Sequence, residues 1–164
     1  MQYLDFIQQK ITIQTDLQPI LVRYNFLGKK IVFTNGCFDL LHRGHVEYLA
    51  KAASLGDIMI VGLNTDASVR KLKGAERPLQ DEYTRALVLS ALTFVSHVVL
   101  FDEDTPYELI KLIQPDLLVK GADYQPETIV GYDIVMAKGG RVATIDLTDG
   151  FSTTKIVGKM KKGE

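Results

Sequence analysis

Residues 31–45, IVFTNGCFDLLHRGH, constrain the fold of this chain more than any other segment. They begin with an apolar run of strand-favouring residues and break at the turn pair Asn35-Gly36. Two histidines then follow directly before an amphipathic stretch. A strand, a glycine-containing loop and a helix start, in this order, predict the phosphate-binding corner of an α/β fold. The His-x-Gly-His spacing puts both imidazoles on the first helical turn, and Gly44 lets a ligand approach the backbone between them.

The histidine pattern has two interpretations. Buried histidines are often structural, and a four-residue pattern with two free choices occurs by chance. The position of His42 and His45 between a strand and a helix favours catalysis, because phosphate binds at such helix starts. His97, at the start of a later strand, is expected to be structural.

Alternating strands and helices extend this unit along the chain. Further apolar runs predict strands at residues 57–63, 97–101, 117–119 and 141–145, with helices between them. We expect Asp16 to cap an early helix with Pro19 in its first turn, and residues 105–108 to form a capping box. The alternation predicts a doubly wound, Rossmann-like parallel five-stranded sheet with helices on both faces. Residues 30–157 would form the core and residues 1–29 an N-terminal helical extension.

Composition excludes several classes of protein. The 164 residues suit one domain, and a net charge of −1 gives no sign of a nucleic-acid or membrane partner. The sequence has no long apolar run for a transmembrane helix and no secretory signal, and its single cysteine cannot form an internal disulfide. We therefore expect a cytoplasmic protein acting on small molecules. Residues 1–14 are either a packing helix or an oligomer contact, so a homodimer is possible.

Polar clusters follow several predicted strands, where a parallel sheet has its ligand crevice. Lys73 lies either in a solvated basic loop or on a phosphate, where its ammonium could follow moving charge. Arg85 is either a second cationic contact or a surface helix residue. Ser152, Thr153 and Thr154 either cap the last helix or bind phosphate.

Other candidates are equally open. Gly121, just after a strand, allows close approach by a base or phosphate. Asp123 could bind a sugar hydroxyl or form an Asx turn. Asp39 could orient His42, bind substrate or cap a turn, and Cys37 is expected to be a packing residue. No metal-ligand spacing occurs, so any Mg²⁺ would be bound through ATP phosphates.

The segment TNGCFDLLHRGH resembles the signature of the HxGH nucleotidyltransferase superfamily. Its cysteine stands where cytidylyltransferases usually carry threonine, which favours the heptose 1-phosphate adenylyltransferase branch. The segments LKG with RP, EDTP, PDLLVKGADY and FSTT follow in the order of that branch, so the resemblance covers about residues 30–157.

The resemblance implies transfer of AMP from ATP to D-glycero-D-manno-heptose 1-phosphate. The products would be ADP-heptose, a lipopolysaccharide precursor, and pyrophosphate. Many members carry a sugar-kinase half, and we expect this chain to be a stand-alone transferase fed by a separate kinase. The implied catalytic residues are His42, His45 and Lys73. The implied nucleotide-binding residues are Thr34, Asn35, Gly36, Cys37, Phe38, Gly44, Arg85, Lys120, Gly121, Ser152, Thr153 and Thr154. The implied substrate-binding residues are Asp39, Asn64, Asp123 and Tyr124.

Two other functions remain open at this point. One is a cytidylyltransferase acting on glycerol phosphate or a similar polyol phosphate. The other is a nucleotide-binding regulator without catalytic activity.

Overall fold

The computed structural model describes residues 2–146, 153 and 156–158. Its sheet has five strands in the order β3-β2-β1-β4-β5, and every neighbouring pair is parallel. This confirms the predicted Rossmann-like α/β fold. The strand order reverses at β1 and β4, so their carboxyl ends open the crevice typical of doubly wound sheets. The strands are β1 Ile31–Gly36, β2 Ile58–Asn64, β3 His97–Phe101, β4 Leu117–Gly121 and β5 Arg141–Ile145.

Helices cover both faces of the sheet. Side chains alternate along β1, so Val32 enters one hydrophobic cluster with α3 and α5, while Phe33 enters the other with α2, α6 and α7. None of the helices in the described residues is long and apolar enough to cross a bilayer. The helices are α1 Tyr3–Gln8, α2 Gln14–Phe26, α3 Arg43–Ala53, α4 Asp66–Lys73, α5 Glu82–Ser90, α6 Tyr107–Ile113 and α7 Tyr132–Ala137, with a 3₁₀ turn at Pro126–Thr128.

Two predicted helix starts are wrong. Helix α2 begins at Gln14 rather than Asp16, because the Gln14 side chain donates to the carbonyl of Leu100 and ties the helix start to β3. Pro19 therefore lies inside the helix. Helix α6 has Pro106 as its N-cap and no side-chain cap, so the predicted capping box does not form.

Two further segments differ from the prediction. Residues 70–73, the first part of the basic loop expected at residues 70–78, belong instead to helix α4, because the Thr65 hydroxyl accepts a hydrogen bond from the Ser68 amide and caps a helix there. The helix between the last two strands, which the sequence predicts from about residue 128, begins only at Tyr132, because Gly131 has a positive φ of 88° and interrupts it.

Candidate functional site

A cavity of about 380 Å³ lies at the carboxyl edge of the sheet, between the ends of β1 and β4. It brings together most of the predicted site residues. Of the three hydroxyl residues predicted to bind phosphate, Thr153 lines the cavity, and Ser152 and Thr154 lie outside the described residues. The wall contains Asn35, Gly36, Cys37, Phe38, Asp39, His45, Tyr48, Lys73, Lys120, Gly121, Asp123, Tyr124 and Thr153.

The two histidines of the HxGH motif form a stacked pair. His42 is the N-cap residue of α3, and His45 lies in the first turn of this helix, with Gly44 buried between them. The ring centroids of His42 and His45 are 3.8 Å apart and their planes differ by 19°. The Nδ1 atom of each ring is buried, and neither has a hydrogen-bond partner among the described residues. Because buried polar atoms are normally paired, two adjacent orphans indicate a polar ligand.

The surroundings of the pair keep both rings neutral at pH 7. Burial and the nearby His42 lower the pKa of His45 to about 4, against the opposing effect of a backbone hydrogen bond with Leu40, and Lys73 adds to the lowering. Burial also lowers the pKa of His42. Neutral rings stack without charge repulsion, and each carries one N–H that can donate to a phosphate oxygen.

Phe38 supports the pair from the side. Its ring meets the His45 ring edge-on, with centroids 5.2 Å apart. Gly36 makes this packing possible, because a Cβ at residue 36 would lie 3.0 Å from the Phe38 ring. Phe38 itself has a positive φ of 42°, which shows how tightly the loop turns between strand and helix.

Two lysines reach the cavity from different elements. Lys73 is the last residue of α4, is exposed, and is followed by Gly74 with a φ of 99°. Lys120 is at the end of β4, and its ammonium donates to the Asn35 side-chain oxygen at 2.5 Å. Burial lowers the pKa of Lys120 to about 8, against the opposing effect of Asp123. An approaching phosphate would favour the charged form of this amine.

Tyr48 is a wall residue that the sequence analysis missed. Its hydroxyl donates to the carbonyl of Val119 at 3.0 Å and lies 2.8 Å from the Thr34 hydroxyl, which is buried. Burial raises the pKa of Tyr48 to about 12. The spacing could have predicted this position, because residue 48 is three residues after His45 and therefore lies on the same face of the helix.

Arg85 does not lie on the surface, so that expectation is wrong. Its guanidinium is fully buried and donates to the carbonyl oxygens of Cys37, Asn64 and Gln80. It also pairs with the Asp66 carboxylate at 2.7 Å. Arg85 therefore joins elements around the cavity and is not part of its wall.

Asp39 and Asn64 bind protein groups. The Asp39 carboxylate is fully buried, pairs with Arg77 at 2.8 Å and accepts the amide of Leu79 at 2.7 Å. Contact of Asp39, which lines the cavity, with His42 or with the substrate stays a prediction that these contacts do not favour. The Asn64 amide group donates to the Ser68 hydroxyl at 2.9 Å. Direct substrate contact by Asn64 stays a prediction that this geometry does not favour.

The remaining side chains of the cavity favour an anionic ligand. Burial raises the pKa of the Cys37 thiol, which disfavours the thiolate needed by a nucleophile. The described residues contain no group of three or more histidine, cysteine, aspartate or glutamate side chains that could hold a metal ion. Beside the carboxylates of Asp39 and Asp123, this wall offers the neutral imidazole of His45 and two lysines, which donate hydrogen bonds to phosphate oxygens.

Comparisons with known proteins agree with this geometry. A family model described as cytidylyltransferase-like matches residues 33–159. The bifunctional protein HldE of Syntrophotalea carbinolica is 57% identical over 148 residues, which cover 90% of this chain and 30% of that protein. HldE of Campylobacter jejuni is 54% identical over 154 residues, covering 94% of this chain and 32% of that protein.

A solved structure is also similar to this chain in fold. The lipopolysaccharide core biosynthesis protein of Thermoplasma volcanium matches with a TM-score of 0.59 and 26% identity, over 74% of this chain and 98% of that one. The chain spans about 30% of the length of the curated relatives given above. Because the family model matches most of the sequence, the chain belongs to the cytidylyltransferase-like family of nucleotidyltransferases.

Proposed function

We propose that this chain transfers AMP from Mg·ATP to a heptose 1-phosphate, giving ADP-heptose and pyrophosphate. The stacked His42–His45 pair carries the proposal, because its two buried Nδ1 atoms lack partners among the described residues at the phosphate-binding corner. A nucleotide triphosphate supplies several acceptor oxygens at such a corner. The two lysines, Lys73 and Lys120, add positive charge on the cavity wall.

The reaction we propose is a direct in-line displacement. A phosphate oxygen of the sugar 1-phosphate attacks the α-phosphorus of ATP, and the bond from that phosphorus to the pyrophosphate oxygen breaks. The attacking oxygen is already anionic, so no general base is needed. Positioning and charge stabilisation supply the rate, as in other phosphoryl-type transfers.

The histidine pair and Lys73 have distinct parts in this scheme. His42 and His45 would donate to the α- and β-phosphate oxygens as negative charge moves toward pyrophosphate. Lys73, at the end of a helix and exposed, could follow that charge. Mg²⁺ would enter as part of the substrate Mg·ATP, bound through its phosphate oxygens and water.

The acceptor would bind at the β4 side of the cavity. Lys120 is half-buried there and donates to Asn35, while Asp123 and Tyr124 are more exposed members of the same wall. An ammonium beside a carboxylate and a phenol suits a phosphate joined to a polyhydroxylated sugar. The choice of heptose rests on the resemblance of this chain to heptose 1-phosphate adenylyltransferases. The similarity to a lipopolysaccharide core biosynthesis protein of Thermoplasma volcanium supports this choice.

The family model favours a second candidate, because its description is cytidylyltransferase-like. In that case the donor would be CTP and the acceptor a polyol phosphate such as glycerol 3-phosphate. The histidine pair and the lysines would keep the same parts in the reaction, and the base-binding contacts would differ.

Pyrophosphate release separates the two candidates. We would measure it with ATP, CTP, GTP and UTP, each against heptose 1-phosphate and glycerol 3-phosphate, with Mg²⁺ present. The proposal predicts release with ATP plus heptose 1-phosphate and background rates otherwise. Release with CTP and glycerol 3-phosphate would establish the second candidate, and ATP binding without release in any pair would favour the regulator.

A further inference from the structure

Lys73 belongs to a segment that we call the Lys73 arm, residues 66–80, which comprises α4 and the loop leading to α5. Its ammonium is on the cavity wall, and no hydrogen bond or ion pair holds it among the described residues. The position of this lysine therefore depends on how the arm is attached to the rest of the protein. Both ends of the arm carry buried charged anchors.

The first anchor holds the start of α4. The buried guanidinium of Arg85 pairs with the Asp66 carboxylate at 2.7 Å, and Glu82 accepts the Asp66 amide at 2.8 Å. Arg85 also donates to the carbonyls of Cys37 and Asn64, at the carboxyl ends of β1 and β2, at 2.7 and 2.9 Å. One side chain thus joins the arm to the strands that border the cavity.

The second anchor holds the end of the arm. The Asp39 carboxylate, in the loop that leads to the histidines, is fully buried and pairs with Arg77 at 2.8 Å. It also accepts the amides of Leu79 and Gln80 at 2.7 and 3.3 Å. A buried carboxylate with a cation and two amides is strongly held, and removal of its charge leaves the Arg77 guanidinium without its counter-ion.

We propose that Asp39 and Arg85 are positioning residues, which clamp the Lys73 arm at both ends and place the Lys73 ammonium on the phosphates beside the histidine pair. The clamp explains why these two charged residues at the cavity make their hydrogen bonds and ion pairs with protein groups. Its consequence for phosphate contact rests on the proposed function. The clamp itself rests only on the contacts within the protein.

Hydrogen exchange tests the clamp without any substrate. Asp39→Asn keeps the size of the side chain but removes its charge and breaks the pair with Arg77, so the amides of Arg77, Leu79 and Gln80 should exchange at least about tenfold faster. Asp116→Asn is the matched control, because Asp116 also accepts a backbone amide and pairs with a lysine, but at the amino edge of the sheet. It should leave exchange in the arm unchanged. Unchanged protection of residues 77–80 in Asp39→Asn would overturn the clamp.

A double-mutant cycle tests whether the clamp acts through Lys73. Asp39→Asn should lower kcat/KM about tenfold in the wild-type background and less than about twofold in the Lys73→Ala background. Asp116→Asn should have the same small effect in both backgrounds. Equal losses from Asp39→Asn with and without Lys73 would mean that Asp39 only stabilises the fold, and would overturn the positioning role.

The two proposals can fail separately. If the wild type turns over none of the acceptors tested, the same cycle is run on the Kd of Mg·ATP measured by calorimetry. If the wild type neither turns over nor binds ATP, the proposed function and the phosphate contact of Lys73 both fail. The exchange of residues 77–80 still decides the clamp in that case.

Discussion

The protein has three histidines, all with lowered pKa values. They lie in two regions that differ in how the ring nitrogens are hydrogen-bonded. At the β3 edge, His97 is buried with both ring nitrogens bonded, Nδ1 to the Thr12 hydroxyl at 2.9 Å and Nε2 to the Tyr24 hydroxyl at 2.8 Å. At the carboxyl edge, the Nδ1 atoms of His42 and His45 are buried with no partner among the described residues.

Hydrogen bonding, rather than pKa, separates His97 from the His42–His45 pair at the carboxyl edge. Burial lowers the pKa in both regions, so the pKa alone does not distinguish them. In the folded protein, however, both ring nitrogens of His97 are hydrogen-bonded, whereas the Nδ1 atoms of His42 and His45 have no partner among the described residues. His97 also joins the segment before α2 to the sheet edge, where Ile11 bridges Val98. The sequence expectation that His97 is structural agrees with these contacts.

Turnover should respond most strongly to changes in the pair. His42→Ala and His45→Ala should each lower kcat about 10²- to 10³-fold, as removal of a transition-state hydrogen-bond donor does. Steady-state pyrophosphate release measures this, with circular dichroism to verify the fold. His97→Ala is the matched control and should keep near-wild-type turnover below its unfolding temperature. A folded His42 or His45 variant with full turnover would remove that residue from the mechanism.

The next effect is on stability as a function of pH. The pKa of His45 is about 4 in the folded protein, against about 6.5 when unfolded, so the unfolded state binds more protons between these values. The free energy of unfolding should therefore be constant above about pH 6.5 and fall toward pH 4, by at most about 3 kcal/mol for this residue. Urea titrations at several pH values measure the slope. His45→Gln should flatten it, and an equal slope in this variant would refute the assignment.

We expect a smaller loss of stability from changes at the β3 edge. Tyr24→Phe or Thr12→Val removes one partner of His97 and leaves a buried ring nitrogen unsatisfied. Each should cost about 2 kcal/mol of unfolding free energy, measured by urea denaturation. Neither change touches the cavity, so turnover should stay within about twofold of the wild type. A large loss of turnover with normal stability would break the distinction between the two regions.

Substitution of Tyr48 should have the smallest effect, because this residue lies on the cavity wall but its hydroxyl is already hydrogen-bonded within the protein. By the hydrogen-bonding criterion this residue is structural despite its location. Tyr48→Phe should cost about 1 kcal/mol of unfolding free energy and change the Kd for Mg·ATP less than about threefold. Calorimetric titration checks the affinity, and a tenfold weaker Kd would show that location outweighs hydrogen bonding here.

Much of the fold could be predicted because its signals are local. The parallel strands β3 and β5 have short apolar or β-branched sequences, and their predicted bounds match the structure. Helix starts were less predictable, because tertiary contacts decided them. The hydrogen bond from Gln14 to β3 moved the start of α2, and the Thr65 cap turned an apparent basic loop into α4.

The site residues likewise divide into those that local patterns predict and those whose roles depend on tertiary contacts. Gly36, His45 and Lys120 reach the cavity because strand ends and a helix start meet at one edge of the sheet. The roles of Asp39 and Arg85 depend on partners about 40 or more residues away in the chain, such as Leu79 and Cys37. No local pattern reveals whether a charged side chain meets a ligand or a distant backbone group.

Nitrogen NMR of the histidine side chains during titration with Mg·ATP would observe the paired rings themselves. The chain has only three histidines, so each imidazole can be assigned by single substitution. We expect the ring nitrogens of His42 and His45 to shift on ATP binding, while those of His97 stay in place. If ATP binds and the His42 and His45 signals do not move, or His97 moves as much as they do, the paired histidines are not the phosphate ligands.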